Sequence, residues 1–230
     1  MNINVVKLGQ MRYSEALGIQ EKLLALRQED AVDDTLLIVE HPPVITLGRR
    51  GKGQNILVPE EKLSAEGIEI YEVNRGGDVT YHGPGQIVGY PIMNLKNHGR
   101  DVRKFVWNIE EVIIELLDRE FGITAGRING LTGVWVNDEK ITAIGFAIKH
   151  WVTMHGFAFN VNTNLEHFKW IIPCGIKDKG VTSVERILNK RQEFQAVVDM
   201  VINHFCRVFD MNPTPVDINT ILSKAGDTVE

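Results

Sequence analysis

Residues 133–148 read "GVWVNDEKITAIGFAI", two apolar runs divided by Asn137-Asp138. Runs rich in β-branched and aromatic residues on either side of a two-residue polar turn predict a hairpin. Just downstream, "HGFAFNVN" (155–162) predicts a further strand, so the middle of the chain is β-rich. Upstream, "TLLIVEH" and "VITLG" read as strands broken at Pro42-Pro43. "EIYEVN" (69–74) is another strand and runs into a glycine-rich stretch, which is followed by a buried strand, "IVGYPIMNL".

Helical spacing frames this β region. From Ser14, a candidate N-cap, Leu17, Leu24 and Ala25 recur on one face. "DVRKFVWNIEEVIIELLDREFG" (101–122) aligns Val102, Phe105, Ile109, Val112, Ile113 and Leu116, with Gly122 as a left-handed cap. "RQEFQAVVDMVINHFCRVFD" (191–210) predicts a second long amphipathic helix. Strands in the middle with helices between and after them predict an α/β (α+β) fold, a mixed, largely antiparallel sheet with helices packed on one side.

Composition limits the function classes. Of 230 residues, 43% are hydrophobic and 24% charged, as in a soluble globular protein, with no composition break or linker. One domain over 1–212 with a short tail at 213–230 is expected. No charged-then-apolar leader follows Met1, and no apolar run approaches the roughly 18 residues of a membrane span. A cytoplasmic protein is expected. The two cysteines form no C-x-x-C and no zinc-spaced Cys/His pair, which speaks against disulfides and a structural metal. A net charge of −5 speaks against general nucleic-acid binding. "GRRGK" (48–52) is a local exception that suits an acidic partner or a solvated loop equally.

Three places attract chemistry. "RGGDVTYHGPGQ" (75–86) interleaves Arg75, Thr80, Tyr81 and His82 with glycines that let backbone approach a ligand; it reads as a binding wall or as a hairpin with polar turns. It is neither a Walker loop nor a dinucleotide fingerprint. Cys174 stands on a Pro-Cys-Gly corner, an odd place for a structural thiol, whereas Cys206 lies on the last helix and reads as a packed core thiol. Lys140 follows the hairpin turn, where spacing alone points it into water; drawn into a water-poor cleft, a lysine exchanges protons more readily. His82, His155 and His167 are candidate bases, though each reads as a hydrogen-bonded structural histidine.

Together, "RGGDVTYHGPGQIVGYPI", "GVWVNDEKITAIG", "HGFAFNVN" and "IIPCGIKDKGVTSV" resemble the lipoyl(octanoyl) transferases in order and spacing, and the likeness runs from "HPPVITLGRR" to about residue 210. The resemblance implies the biotin/lipoate protein ligase-like fold in a monomeric catalytic domain that needs no cofactor. It implies octanoyl transfer from octanoyl-acyl carrier protein to a lysine of lipoyl domains, in 2-oxoacid dehydrogenases or the glycine-cleavage H protein, without nucleic acid or membrane. Cys174 would carry the acyl thioester and Lys140 would complete a dyad. Substrate would meet Arg75, Gly76, Gly77, Asp78, Val79, Thr80, Tyr81 and His82, then Ala143, Ile144 and Gly145, and Gly156, Phe157 and Ala158. An ATP-dependent lipoate ligase is the rival, because "RGGDVTYHG" and "KITAIG" resemble ligase segments too. A ligase has no use for a nucleophilic cysteine. A non-catalytic binder of acyl carriers would not need both Cys174 and Lys140, and a thiol hydrolase would need an acid–base histidine.

Overall fold

The computed structural model describes residues 1–51, 53–173 and 178–223. Strand β1 (Asn2–Gln10) leads to α1 (Tyr13–Gln28), β2 (Thr35–Glu40), β3 (Val44–Leu47), α2 (Glu60–Ala65), β4 (Glu69–Glu72), β5 (Val79–His82) and β6 (Gln86–Ile92). Helix α3 (Val102–Phe121) follows, then β7 (Gly126–Ile128), β8 (Leu131–Val136), β9 (Glu139–Lys149) and β10 (Val152–Asn160). The chain ends with β11 (Gly180–Val181), α4 (Val184–Leu188), α5 (Phe194–Phe209), β12 (Asn212–Pro215) and α6 (Ile218–Ser223).

The larger sheet has the order β12-β1-β2-β6-β10-β9-β8-β7, with β11 added beside β9. It is antiparallel from β2 to β7 and parallel where β1 meets β2 and β12. A small second sheet, β4-β3-β5, stands apart from it. The mixed, largely antiparallel sheet matches the expectation, as does the hairpin. Its turn residue Asn137 takes φ 53, where the left-handed region costs asparagine little.

Helices cover both faces of the sheet rather than one. Leu36 and Ile38 of β2, with Phe157 and Phe159 of β10, pack toward α3 and α5. Leu37 and Val39, with Met154 and Ala158, pack toward Leu23 and Leu24 of α1 and Ile221 of α6. Side chains alternate along a strand, so the unbroken burial of β6 and β10 requires two covered faces. Residues 213–223 contribute to this body: β12 extends the sheet beside β1, and Ile221 of α6 is buried.

Local signals set the long helices. Asp101 caps α3 by accepting from Lys104 N at 2.9 Å, and Gly122 closes it at φ 63. Helix α1 departs from expectation, starting at Tyr13 after Arg12 without a side-chain cap, so Ser14 lies inside it. Met11 N donates to Glu40 O at 3.0 Å, and the Tyr13 ring is buried against His41 and Tyr71. That packing outweighs the ~1 kcal/mol a Ser cap contributes. Among the described residues, no helix is long and apolar enough to cross a membrane.

Phe205 on α5 is fully buried and stacks on Phe209 at 4.5 Å between ring centroids. Phe205→Ala is expected to remove about 3–5 kcal/mol of stability in urea unfolding, and exposed Asn203→Ala no more than about 0.5. Equal midpoints for the two would place the core elsewhere.

Candidate active site

The glycine-rich segment is not a hairpin. Strand β5 pairs with β3 in the small sheet and β6 with β2 and β10 in the large one, so 83–85 hands the chain from one sheet to the other. Upstream, residues 75–77 lie across β9, where Gly76 N donates to Phe146 O at 2.8 Å. A side chain at Gly145 would put its Cβ 2.7 Å from Gly76 O, so glycine there lets the segment settle on the strand. At Gly156, on β10 opposite Gly145, a Cβ would fall 1.8 Å from Gly89 O.

These close approaches leave a narrow cavity of about 40 Å³ under the segment. Ala143, Ile144 and Gly145 of β9, together with Gly156, Phe157 and Ala158 of β10, line one side. Arg75, Gly77, Thr80 and His82 line another. The period of two along β5 turns Thr80 and His82 inward, while Val79 and Tyr81 join a separate cluster with Ile45, Leu47 and Phe168. Asp78 is held off the cavity by Asn55 Nδ2 at 2.6 Å and Val79 N at 2.7 Å. Gly76 lines a neighbouring groove instead. Val88 and Tyr90 of β6, Tyr13 of α1 and His155 also line the cavity.

Its polar wall is mostly neutral. Gln86 Nε2 donates to Tyr81 O at 3.2 Å and to Asn160 Oδ1 at 2.9 Å, so its Oε1 is the atom 2.8 Å from His82 Nδ1. His82 therefore carries its proton on Nδ1 and leaves Nε2 as an acceptor. Burial, then the repulsion a protonated ring would meet from His41, Arg75 and His155, pulls its pKa down to about 3, against the hydrogen bond it donates to Gln86 Oε1. His41, donating Nδ1–H to Met11 O at 2.7 Å and accepting from the Tyr90 hydroxyl at 2.8 Å, falls to about 4 by burial. His155 also falls to about 4, by burial and then Arg75; its Nε2 meets Asn74 Oδ1 at 2.6 Å, and its buried Nδ1 has no partner. Burial raises the Tyr13 hydroxyl to about 12. The cation on this wall is Arg75, buried and bonded through Nη2 to Thr46 O at 2.7 Å and through Nη1 to Gly76 O at 3.0 Å.

Lys140 is not a solvent-facing turn lysine. It is only 6% exposed; its Nζ donates to Thr132 O at 3.2 Å and sits 4.7 Å above the Trp135 ring. Register explains the burial: Lys140 faces Trp135 on β8 and Val181 on β11, so strands flank it on both sides. It lines a groove of about 470 Å³ that shares Gly77, Ile144 and Gly145 with the cavity.

Cys174 falls outside the described residues, but both flanks of 174–177 are pinned. Ile172 N donates to Asn55 O at 2.8 Å, and Ile171 bridges Ile56. Beyond the segment, Thr182 N donates to Lys140 O at 3.0 Å and Thr182 O accepts from Asn160 Nδ2 at 3.1 Å. Cys206 is the expected packed thiol, buried among apolar side chains and raised to about 11 by that burial. His167 lies outside the cavity, bonded to the Tyr81 hydroxyl at 2.9 Å.

Of the lining residues that motif reading missed, Val88 and Tyr90 carry a signal, the period of two along β6. Tyr13 carries none, because only the fold brings α1 to this wall, and His41 stands behind it against Tyr13, His82 and Tyr90. The three depressed histidines make acid sensitivity predictable. A buried histidine whose folded pKa lies below its unfolded value near 6.5 contributes stability above that value and loses it as pH falls. Unfolding free energy is expected to drop between about pH 6.5 and 4 in urea titrations, and His82→Gln to flatten that slope. A wild-type curve flat over that window would contradict the neutral wall.

Residues 12–206 match the model of the lipoyl protein ligase A/B catalytic domain. A protein of Caldicellulosiruptor saccharolyticus named octanoyltransferase is 59% identical over 210 residues, covering 91% of this chain and 89% of that one. An octanoyltransferase of Desulforamulus reducens is 55% identical over 217 residues, covering 94% of this chain and 95% of its own. Among solved structures, lipoate-protein ligase A bound with ATP superposes with TM-score 0.80 at 16% identity, over 99% of this chain and 95% of that one. Biotin protein ligase from Aquifex aeolicus superposes with TM-score 0.52 at 15% identity, over 91% of this chain and 70% of that one. The ligase likenesses establish the fold alone, whereas the sequence identities reach further: the chain belongs to the lipoyl protein ligase A/B catalytic-domain family and, within it, to the octanoyltransferases.

Proposed function

We propose that this protein takes an octanoyl group from octanoyl-acyl carrier protein and passes it, through a thioester on Cys174, to a lysine of a lipoyl domain. The observation that carries this reading is the buried Lys140, flanked by the strand that follows the Cys174 segment and lining a groove that shares Gly77, Ile144 and Gly145 with the narrow cavity. The relatives named octanoyltransferase support the acyl group and the reaction class.

The chemistry balances without an added activator. The Cys174 thiolate attacks the donor thioester, a carbon–sulfur bond forms as another breaks, and the carrier thiolate leaves and takes up a proton. This exchange is close to neutral in energy. The neutral acceptor amine then attacks, a carbon–nitrogen bond replaces the carbon–sulfur bond, the Cys174 thiolate leaves, the proton shed by the amine passes to that thiolate or to Lys140, and the amide makes the step downhill. A free thiol near pKa 8.5 is only a few per cent ionised at pH 7, so a nearby lysine ammonium is useful. The cavity histidines are poor candidates for the proton of the acceptor lysine. Moving a proton from an amine near 10.4 to His82 near 3 is uphill on the order of 10 kcal/mol, so His82 serves as a hydrogen-bond acceptor. The same gap weakens the hydrolase reading. An apolar slot contributes roughly 0.8 kcal/mol per buried methylene, which favours longer acyl chains over much shorter ones.

Cys174→Ser is expected to abolish nucleotide-free transfer from octanoyl-acyl carrier protein to a lipoyl domain, and Cys206→Ser to keep most of it. Gel-shift or mass assays of the acceptor read the result. Equal losses in two folded variants, or transfer that depends on ATP, would sink the reading.

A further inference from the structure

The groove beside Lys140 shares part of its lining with the cavity, and the rest of that lining differs in character. Where it meets the cavity, Gly77, Ile144 and Gly145 form a common wall with Lys140 close by. Farther along, Val102, Val106, Phe146 and Ile148 make apolar sides. Arg49 and Arg50 also line it, both exposed. The whole chain carries a net charge of −5, so paired cations here run against its overall balance.

The position of these arginines is built rather than incidental. Arg49 N donates to Arg75 O and Arg50 N to Gly77 O, each at 3.0 Å, which ties their backbone to the wall of the acyl cavity. A Cβ at Gly48 would lie 2.7 Å from Gly77 O, so only glycine there lets the two loops approach this closely. Neither arginine forms an ion pair with a carboxylate of the described residues. Helix α3 begins at Val102 on the same groove, and its first turn has no acid; Arg103 and Lys104 are exposed there.

We propose that this groove receives the phosphopantetheine arm of the acyl donor, with the phosphate held by Arg49 and Arg50. The assignment rests on the thioester-transfer reading above and gives the donor a direction. An acyl chain in the cavity and an anion at Arg49 and Arg50 leave the thioester at the shared wall beside Lys140. The arm itself alternates amides with methylenes and methyls, which suits apolar sides bordered by glycine backbone. Arginine suits the phosphate, because its planar fork meets phosphate oxygens in pairs.

The test compares octanoyl-phosphopantetheine with octanoyl-pantetheine, which lacks the phosphate, in wild type and the double variant Arg49→Ala/Arg50→Ala. Wild type is expected to prefer the phosphorylated donor roughly five- to tenfold in kcat/KM, through KM, and the variant to reduce that ratio to about one. Calorimetric titration with phosphopantetheine alone, at low and high salt, gives a readout free of turnover, with binding in wild type that salt and the variant both weaken. Octanoyl-acyl carrier protein and octanoyl-coenzyme A, run alongside, separate the two sources of the arm. Turnover without phosphate preference, or a preference intact in the variant, overturns the groove assignment and leaves the transferase reading standing. If wild type turns over none of these donors, octanoyl-acyl carrier protein included, the transferase reading fails, and the titration alone then decides the groove.

Discussion

The site depends on two hydrogen bonds at Thr182, which is almost wholly buried. Its N–H donates to Lys140 O and its carbonyl accepts from Asn160. The first bond adds β11 to the long strand β9 and so closes the far side of Lys140. The second joins β10 to the same residue, and through Asn160 and Gln86 the connection continues to His82. Three stretches distant in sequence are thereby set relative to one another. A buried chain of this kind carries a large penalty if any member is lost, which makes it a rigid frame for the residues it touches.

Neutrality is the second constraint. Burial keeps His41, His82 and His155 uncharged near pH 7, and the Tyr13 hydroxyl stays protonated. Arg75 contributes to the low values of His82 and His155 while its own donors are taken up by backbone and Thr46 oxygens. A wall of neutral rings and hydroxyls beside Phe157, Val88 and Ala158, with Arg75 already bonded to backbone and Thr46 oxygens, suits an apolar ligand such as the proposed acyl chain. The cations suited to charged partners lie outside it, along the adjoining groove.

Much of this was legible in residue order, for identifiable reasons. The hairpin at 133–148 and helix α3 announce themselves because turn chemistry, capping and periodicity agree locally. Helices on both faces were less visible, since alternation disappears when a strand is buried on both sides. The glycine-rich segment gave itself away as a close-approach backbone, yet its split between two sheets depends on pairing with β3 and β2, which no local pattern encodes. Lys140 shows the limit most clearly. Next to a turn it reads as solvated, and only a strand some forty positions downstream buries it.

The proposed pairing of Lys140 with Cys174 is read most directly in the pH dependence of Cys174 alkylation. A neighbouring ammonium lowers a thiol pKa by about one to three units. With iodoacetamide and peptide-resolved mass detection, Lys140→Ala is expected to move the midpoint of Cys174 reaction up by at least about one pH unit, while Cys206 stays unreactive in both proteins. Superimposable Cys174 curves for wild type and Lys140→Ala would contradict the pairing.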